Sequence, residues 1–253
     1  MRFLEVYEVS FLILEAESVL LKFLKIGLFS CCVSVFSIVG FHLIERTLHP
    51  RHFLDCYSQE GEDMLIRRFI GKKKTGFFVD VGAHHPIKLS NTYHFYRRGW
   101  RGINIDAMPG SMQLFQRLRP EDINLEVAIG EQEGEVNFYL FDEPAFNTCN
   151  PNQAEGHSHV QQVPMRPLGA ILRENVPDGQ QIDFLSVDVE GLDLEVLKSN
   201  DWDGFSPSFI LIESLMTHSI EEAMRSDLAL FLYDKGYQLV AKTKNTLCFQ
   251  NNR

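Results

Sequence analysis

The sequence lacks the cysteine pattern of a stapled or zinc-bound protein. Its five cysteines, Cys31, Cys32, Cys56, Cys149 and Cys248, are odd in number and scattered, with no CxxC pair. They form neither a disulfide framework nor a zinc-ligand set, and a reducing compartment suits them best. A cationic surface is missing as well. Lys and Arg number 24 against 34 Asp and Glu, giving a net charge of −10 and a pI near 5.4. That balance excludes the broad basic footprint that DNA or RNA binding needs. The one compact basic run, Lys72 to Lys74, reads as a solvated loop.

With 253 residues, 45% of them hydrophobic, the chain can bury one core of catalytic size and carry an appendage. The composition divides it into an N-terminal helical segment, 1–50, and a domain, 51–253. Within the first, Ile26 to Ile44, "IGLFSCCVSVFSIVGFHLI", is a run of 19 residues without formal charge. As a helix it has about the length needed to cross a hydrocarbon core of roughly 30 Å. This N-terminal apolar helix is expected to be a membrane anchor, with an amphipathic, domain-packing helix as the alternative. Basic residues on both flanks leave its orientation undecided. The apolar run starts late and no small-x-small cleavage pattern follows, which argues against a removed signal.

From Tyr57 onward, short apolar runs alternate with helical stretches, the pattern of a parallel sheet covered by helices. "FFVDV" (Phe77 to Val81) reads as a strand buried on both faces. A helix is expected over 91–98, closed by Gly99, then a strand ending at Asp106, a helix over 110–119, and a third strand in "INLEVAIG". "EVNFYLF" reads as a hairpin partner or edge strand, and 142–163 as a long polar loop or lid without usable periodicity. Further expected elements are a helix at 168–175, a strand in "IDFLSVDVEG", a helix over 192–199, a strand ending at Glu213, and one long helix over 219–235 closed by Gly236. "YQLVAKTKNTLCFQ" reads as two strands joined by a turn short enough to force them antiparallel. The fold class is therefore α/β, Rossmann-like, with an antiparallel C-terminal hairpin.

In open parallel sheets ligands bind at the carboxyl ends of the strands, and here those ends carry Asp80, Asp106, Asp188 with Glu190, and Glu213. One aspartate closing a strand often merely caps the next helix; four acidic strand ends together point to a small-molecule pocket. A dinucleotide site wants G-x-G-x-x-G, so that backbone can approach a pyrophosphate. After Asp80 the chain offers only Gly82, then Ala83, His84, His85 and Pro86. A single glycine lets the chain turn closely under a ligand without building a phosphate cradle. That suits a cofactor with ribose and adenine but no phosphate. S-adenosylmethionine is one, and its sulfonium cation is favoured by an acidic rim. Asp106 falls where an acidic residue at the end of the second strand grips ribose hydroxyls, its carboxylate offering two acceptors to two adjacent hydroxyls.

"YSQEGED" (Tyr57 to Asp63), "FFVDVGAHHP" (Phe77 to Pro86), "SNTYHFYRRGWRGINIDAMPGS" (Ser90 to Ser111) and "DFLSVDVEGLDLEVLKS" (Asp183 to Ser199) resemble the FkbM-type methyltransferases, a branch of the class I S-adenosylmethionine-dependent enzymes. The resemblance runs from about Tyr57 to Gln250. It implies a sheet of about seven strands with an antiparallel last strand, and methyl transfer to a hydroxyl of a sugar, glycan or natural product. It also implies that Asp80, Gly82 and Ala83 line the methionine end and the turn under the cofactor, that Asp106 holds the ribose, and that Asp188, Glu190 and Gly191 face the transferred methyl. The family's first turn commonly continues Gly-Ala-Asn-x-Gly, where this chain has His84, His85 and Pro86. Ala128, in the third strand, joins the cofactor-side candidates.

Asp188 and Glu190, two positions apart, would point the same way from a regular strand, and one of them is expected to accept the acceptor's proton. His84 or His85 is the alternative base, because imidazole suits proton transfer near neutral pH; their plain reading is turn residues. Gln59, Glu60 and Asp63 either close over the cofactor's amino-acid end or cap a helix start. Glu213 either shapes the acceptor site or satisfies a helix N-terminus. His157 and His159, in the polar stretch, are expected in solvent. No metal is expected, although Asp188, Glu190, His84 and His85 include hard donors of the kind used by catechol-type methyltransferases. Two other functions compete: a membrane-anchored, non-catalytic binding module, and an NAD-dependent oxidoreductase, the latter disfavoured by the missing glycines. S-adenosylmethionine is cytoplasmic, so the domain should face the cytoplasm, at the inner face of the membrane if 26–44 anchors it. The expected partner is a small-molecule or glycan acceptor.

Overall fold

Phe77 to Val81 alternates its side chains across a sheet, and the two faces build two separate cores. Phe77, Val79 and Val81 join one apolar cluster, while Phe78 joins another, as the period of two in a strand dictates. The computed structural model describes residues 54–252, apart from 144, 145 and 216, together with Gly40. The expectations for 1–50, including the apolar run 26–44, otherwise lie outside the described residues. Among the described residues no helix is long and apolar enough to cross a membrane.

The chain from Cys56 forms one unit. Its elements are α1 (Glu62–Ile70), β1 (Phe77–Val81), α2 (Tyr93–Tyr96), β2 (Arg101–Asp106), α3 (Met112–Leu118), β3 (Ile123–Glu126), β4 (Ala128–Ile129), β5 (Gly134–Leu140), β6 (His159–Arg166), α4 (Leu168–Asn175), β7 (Phe184–Val187), α5 (Asp193–Lys198), β8 (Phe209–Glu213), α6 (Ile220–Ala223), α7 (Asp227–Asp234), β9 (Tyr237–Lys242) and β10 (Thr246–Asn251). A seven-stranded sheet runs in the order β3-β2-β1-β7-β8-β10-β9. The pairs from β3 to β8 are parallel, and β10 lies antiparallel to both β8 and β9. The chain winds outward from β1 through β2 to β3 and then returns to β7 on the other side of β1. The strand order therefore reverses between β1 and β7, the place where such sheets open a crevice at their carboxyl ends.

Helices α4, α5 and α7 cover one face through Leu168, Ile171, Leu172, Val196, Leu197, Ala229 and Leu232. On the other face Ile66 of α1 and Phe95 of α2 pack with Phe78, Trp100 and Phe184. The Phe95 ring lies 5.0 Å from Trp100 and 4.9 Å from Phe184, and burying each such ring contributes roughly 1.5–3 kcal/mol.

Four sequence expectations change. The stretch "INLEVAIG" is two strands: β3 stays in the main sheet, and past Val127 the chain steps into a second, three-stranded sheet ordered β4-β6-β5. The polar stretch 142–163 is not wholly a loop, because His159 begins β6, which pairs antiparallel with β5 from Gly134↔Met165 to Leu140↔His159. Its sequence, HVQQVPMR, shows no period of two, because Val160 and Val163 stand three apart and half of the strand is exposed. The single helix expected over 219–235 is two, α6 and α7. Ser226 breaks it, its side chain accepting from Ala229 N–H as the cap of α7. The helix expected over 91–98 is one turn, though Gly99 does take the left-handed conformation, with φ +88°.

A buried guanidinium ties the site-bearing strands together. Arg119, 0% exposed, donates from Nε to Asp122 Oδ2 at 2.8 Å and from Nη1 to Thr92 Oγ1 at 2.9 Å. Its plane lies over Phe78, Phe115 and Tyr96, 5.1–5.6 Å from the ring centres. Asp122 accepts in turn from Gly102 N–H and Asn104 Nδ2 of β2, and Thr92 donates to Asp80 Oδ2 at 2.8 Å. Removing one partner of such a pair strands the other charge. Arg119→Met should therefore cost about 3–5 kcal/mol in urea unfolding, and adding Asp122→Asn should restore part of it. Additive losses in the double variant would refute the pairing.

Candidate active site

The turn after β1 is built by backbone proximity. Gly82 has φ +81°, and a Cβ there would lie 1.7 Å from the carbonyl oxygen of Asp188. No other residue fits between the ends of β1 and β7. The Gly82 and Ala83 N–H groups both donate to Ile105 O, at 2.9 and 3.0 Å, which stitches the turn to the end of β2. His84 follows with φ +50°, a left-handed conformation uncommon outside glycine, and its N–H donates to Asp106 Oδ2 at 2.8 Å. Asp106 Oδ1 accepts from Met108 N–H at 2.7 Å. The Asp106 carboxylate thus first fixes two loops. Each oxygen keeps a second lone pair, and Asp106 lines the cleft. Burial pushes its carboxyl above the usual range, partly offset by those two N–H donors.

The cleft, about 290 Å³, opens at the carboxyl ends of β1, β2, β7 and β8. Three carboxylates converge in it: one oxygen each from Asp188, Glu190 and Glu213 lie within 4.8 Å of one another. Solvent reaches Asp188 through the cleft, yet protein crowds it on its other sides, and this crowding is the first cause of its raised carboxyl. Like charges this close cannot all ionise. Burial and then the Asp188 charge drive Glu213 furthest up, so Glu213 keeps its proton and hydrogen-bonds to Asp188, which carries the charge. Glu190 is pushed up to about 7 by burial and by Asp188. Asp193 is pushed up to about 7 by burial and Asp188 despite accepting from Val189 and Gly191 N–H.

Asp188 and Glu190 share this cluster for a different reason from the one the sequence offers. The strand β7 ends at Val187, and Glu190 turns back through a left-handed φ of +52°, followed by Gly191 at +89°. A turn, not strand alternation, brings the two carboxylates together. The β5–β6 connection clasps that turn: Thr148 Oγ1 donates to Glu190 O at 2.9 Å and Asn150 Nδ2 to Gly191 O at 3.3 Å. Across the cleft, the segment before α1 is fastened to the β9–β10 turn, where Asn245 N–H donates to Glu60 Oε2 at 2.9 Å and Thr246 Oγ1 to Glu62 Oε1 at 3.0 Å.

Of the residues singled out from sequence, Asp80, Gly82, Ala83, His84, Asp106, Ala128, Gln59, Asp188, Glu190 and Glu213 line the cleft. Three do not. His85 Nδ1 accepts from the N–H groups of Ile87 and Lys88, at 3.0 and 2.9 Å, so it caps the turn rather than facing the cleft. Asp63 is buried and accepts from Tyr57 N–H, Ser58 Oγ and Met64 N–H, which is the helix-start role. Gly191 holds the clasped turn, where a Cβ would strike the Gln153 side chain at 2.5 Å. Neither His84 nor His85 joins the cluster of acidic groups that could hold a cation. His157 Nδ1 is bonded to Ala154 O at 2.7 Å, and His159 lies in β6. Sequence reasoning missed Asn91, which lines the cleft and donates to Ser186 Oγ at 3.0 Å, and Thr148. The signal for Asn91 is its place in "SNTYHFY", directly before the Thr92 that holds Asp80.

The FkbM methyltransferase domain matches residues 80–239, more than half of the chain. The chain belongs to that family. The FkbM match begins at the acidic end of β1 and spans the whole set of cleft-lining strand ends. A curated relative, methyltransferase sdnD of Sordaria araneosa, is 34% identical over 84 residues, which is 30% of this chain and 31% of the relative; the chain spans about a third of that protein's length. Among solved structures the chain is similar to a precorrin-6y C5,15-methyltransferase from Geobacter metallireducens GS-15, at 12% identity over 78% of this chain and 91% of that one, with a TM-score of 0.40. It is also similar to a methyltransferase from Geobacter sulfurreducens, at 13% identity over 92% and 96%, with a TM-score of 0.39.

Two measurements test this FkbM site. Gly82→Ala forces both a strained φ and a backbone collision, and should lower stability by more than the roughly 1–3 kcal/mol of strain alone, read as a thermal melting shift; a neutral substitution would mean the turn is not as drawn. The second concerns pH. Glu190 binds its proton more tightly folded than unfolded, its value moving from 4.5 to about 7. Between those limits the native state holds more protons, so stability falls as pH rises through that window. The melting temperature should drop from pH 5 to pH 7.5 and drop less in Glu190→Gln.

Proposed function

We propose that this FkbM-family protein transfers a methyl group from S-adenosylmethionine to a hydroxyl of an acceptor. One observation carries the reading: the cleft at the strand-order reversal is lined by Asp80, Asp106, Asp188, Glu190 and Glu213 and, among the described residues, by no Lys or Arg. Such a donor set suits a cationic cofactor without phosphate. A pyrophosphate would meet only carboxylates and a single-glycine turn, which speaks against the NAD reading. When bound, S-adenosylmethionine supplies an electrophilic methyl on a positively charged sulfur.

The residues divide the work. Asp106 offers its remaining lone pairs to ribose hydroxyls, Gly82 and Ala83 bring backbone close beneath the cofactor, and Asp80, held by Thr92 and facing the cleft, adds negative potential. Asp188 accepts the acceptor's hydroxyl proton. Glu213, keeping its own proton, donates to Asp188 and holds it in position, and Glu190 tunes the Asp188 charge from the clasped turn. General base catalysis of this kind contributes ~10²–10⁴-fold, and orientation adds to it.

Calorimetric titration of the full chain with S-adenosylmethionine and, separately, with NAD tests the cofactor. Micromolar S-adenosylmethionine affinity that falls at least tenfold in Asp106→Ala is expected, with no NAD heat. Absence of S-adenosylmethionine binding to the folded chain would sink the proposal. With an acceptor in hand, Asp188→Asn should lose about 10²-fold or more in turnover while cofactor affinity changes little.

A further inference from the structure

Three large apolar side chains stand in solvent around the acidic cleft. Leu89 is 41% exposed, Phe146 61% and Leu215 44%, and all three line that cleft. They come from three unrelated segments: the stretch between β1 and α2, the β5–β6 connection, and the chain just after β8. Their exposure leaves apolar area in water without folding gain. Leu89 adds a second, independent signal. It has φ +56°, a left-handed conformation that is an outlier for a bulky residue, and such strain persists where the surroundings impose it for function. The neighbours impose it here, because Ser90 N–H is tied to Tyr57 O at 3.0 Å and Lys88 N–H to His85 Nδ1. An exposed leucine is thereby held over the cleft.

We infer that Leu89, Phe146 and Leu215 form an apolar collar that binds the body of the acceptor, so that the acceptor is an alcohol whose hydroxyl sits on an aliphatic or aromatic framework rather than a free sugar. The inference rests on the methyl-transfer reading of the cleft. The carboxylate floor holds the groups that carry charge or a proton, whereas the collar faces what arrives from solvent. A free sugar, with hydroxyls on every side, would leave the collar uncovered and several of its own polar groups without partners. An alcohol on an apolar body covers the collar and delivers one hydroxyl to Asp188.

The test uses the full chain saturated with S-adenosylmethionine and a neutral apolar fluorophore, N-phenyl-1-naphthylamine. Saturable fluorescence enhancement is expected. It should weaken about tenfold or more in the triple variant Leu89→Ser, Phe146→Ser, Leu215→Ser, and stay unchanged in Leu230→Ser, which alters an exposed leucine of α7 outside the cleft lining. The three collar positions are exposed, so the variant should keep its melting temperature and its S-adenosylmethionine affinity. Undiminished probe binding in the triple variant, or none in the wild type, overturns the collar. Failure of S-adenosylmethionine to bind the wild type, with the probe still bound at the collar, would overturn the methyl-transfer reading alone.

Discussion

A single guanidinium, sealed between aromatic rings, sets the frame on which the acidic cleft depends. Arg119 pairs with Asp122, and Asp122 grips the backbone and Asn104 of β2. Through Thr92 the same cation reaches Asp80 at the end of β1. Asp80 is buried, and desolvation raises its carboxyl while the Arg119 charge opposes that rise. Without a cation behind it, an acidic strand end at that depth would have its proton affinity raised further by burial. The aromatic faces of Phe78, Phe115 and Tyr96 make this buried charge tolerable, because the flat guanidinium stacks on rings where an ammonium would demand water.

The parts legible in the sequence were those written in local pattern. β1, α4, β8 and the final hairpin follow from apolar runs, a clean helical stretch, and a turn too short for anything but an antiparallel return. The acidic strand ends were legible because a parallel sheet puts all its carboxyl ends on one rim. What escaped was set by tertiary context. β6 hides in a polar stretch because much of it faces solvent, and its pairing with β4 and β5 makes its register meaningful. Ser226 looks like any helical serine until its side chain is seen to cap a new helix. Asp63 and His85 carry the residue types of a site, but nearby backbone N–H groups claim their acceptors. Arg119, in sequence an ordinary charge near a helix end, gives no sign of complete burial.

The carboxylate cluster is a cost to the fold kept at the place where chemistry is proposed. Burial and the Asp188 charge raise the proton affinity of Glu190, Asp193 and Glu213, and an apolar floor would be more stable. Three non-glycine residues of the cleft, His84, Leu89 and Glu190, add backbone strain. Such features belong to sites rather than scaffolds, and here they coincide with the point where strand order reverses.

The fastening of Glu60 to Asn245 joins residues 185 positions apart, and this has a consequence for how the protein is made. As the chain leaves the ribosome, the segment before α1 emerges 185 residues ahead of the turn that holds it. Strands β1, β2 and β3 can pair long before then. The cleft wall between Gln59 and Asn245 cannot. The cleft therefore closes this part of its rim only once Asn245 has emerged, and a nascent chain short of that turn carries it open.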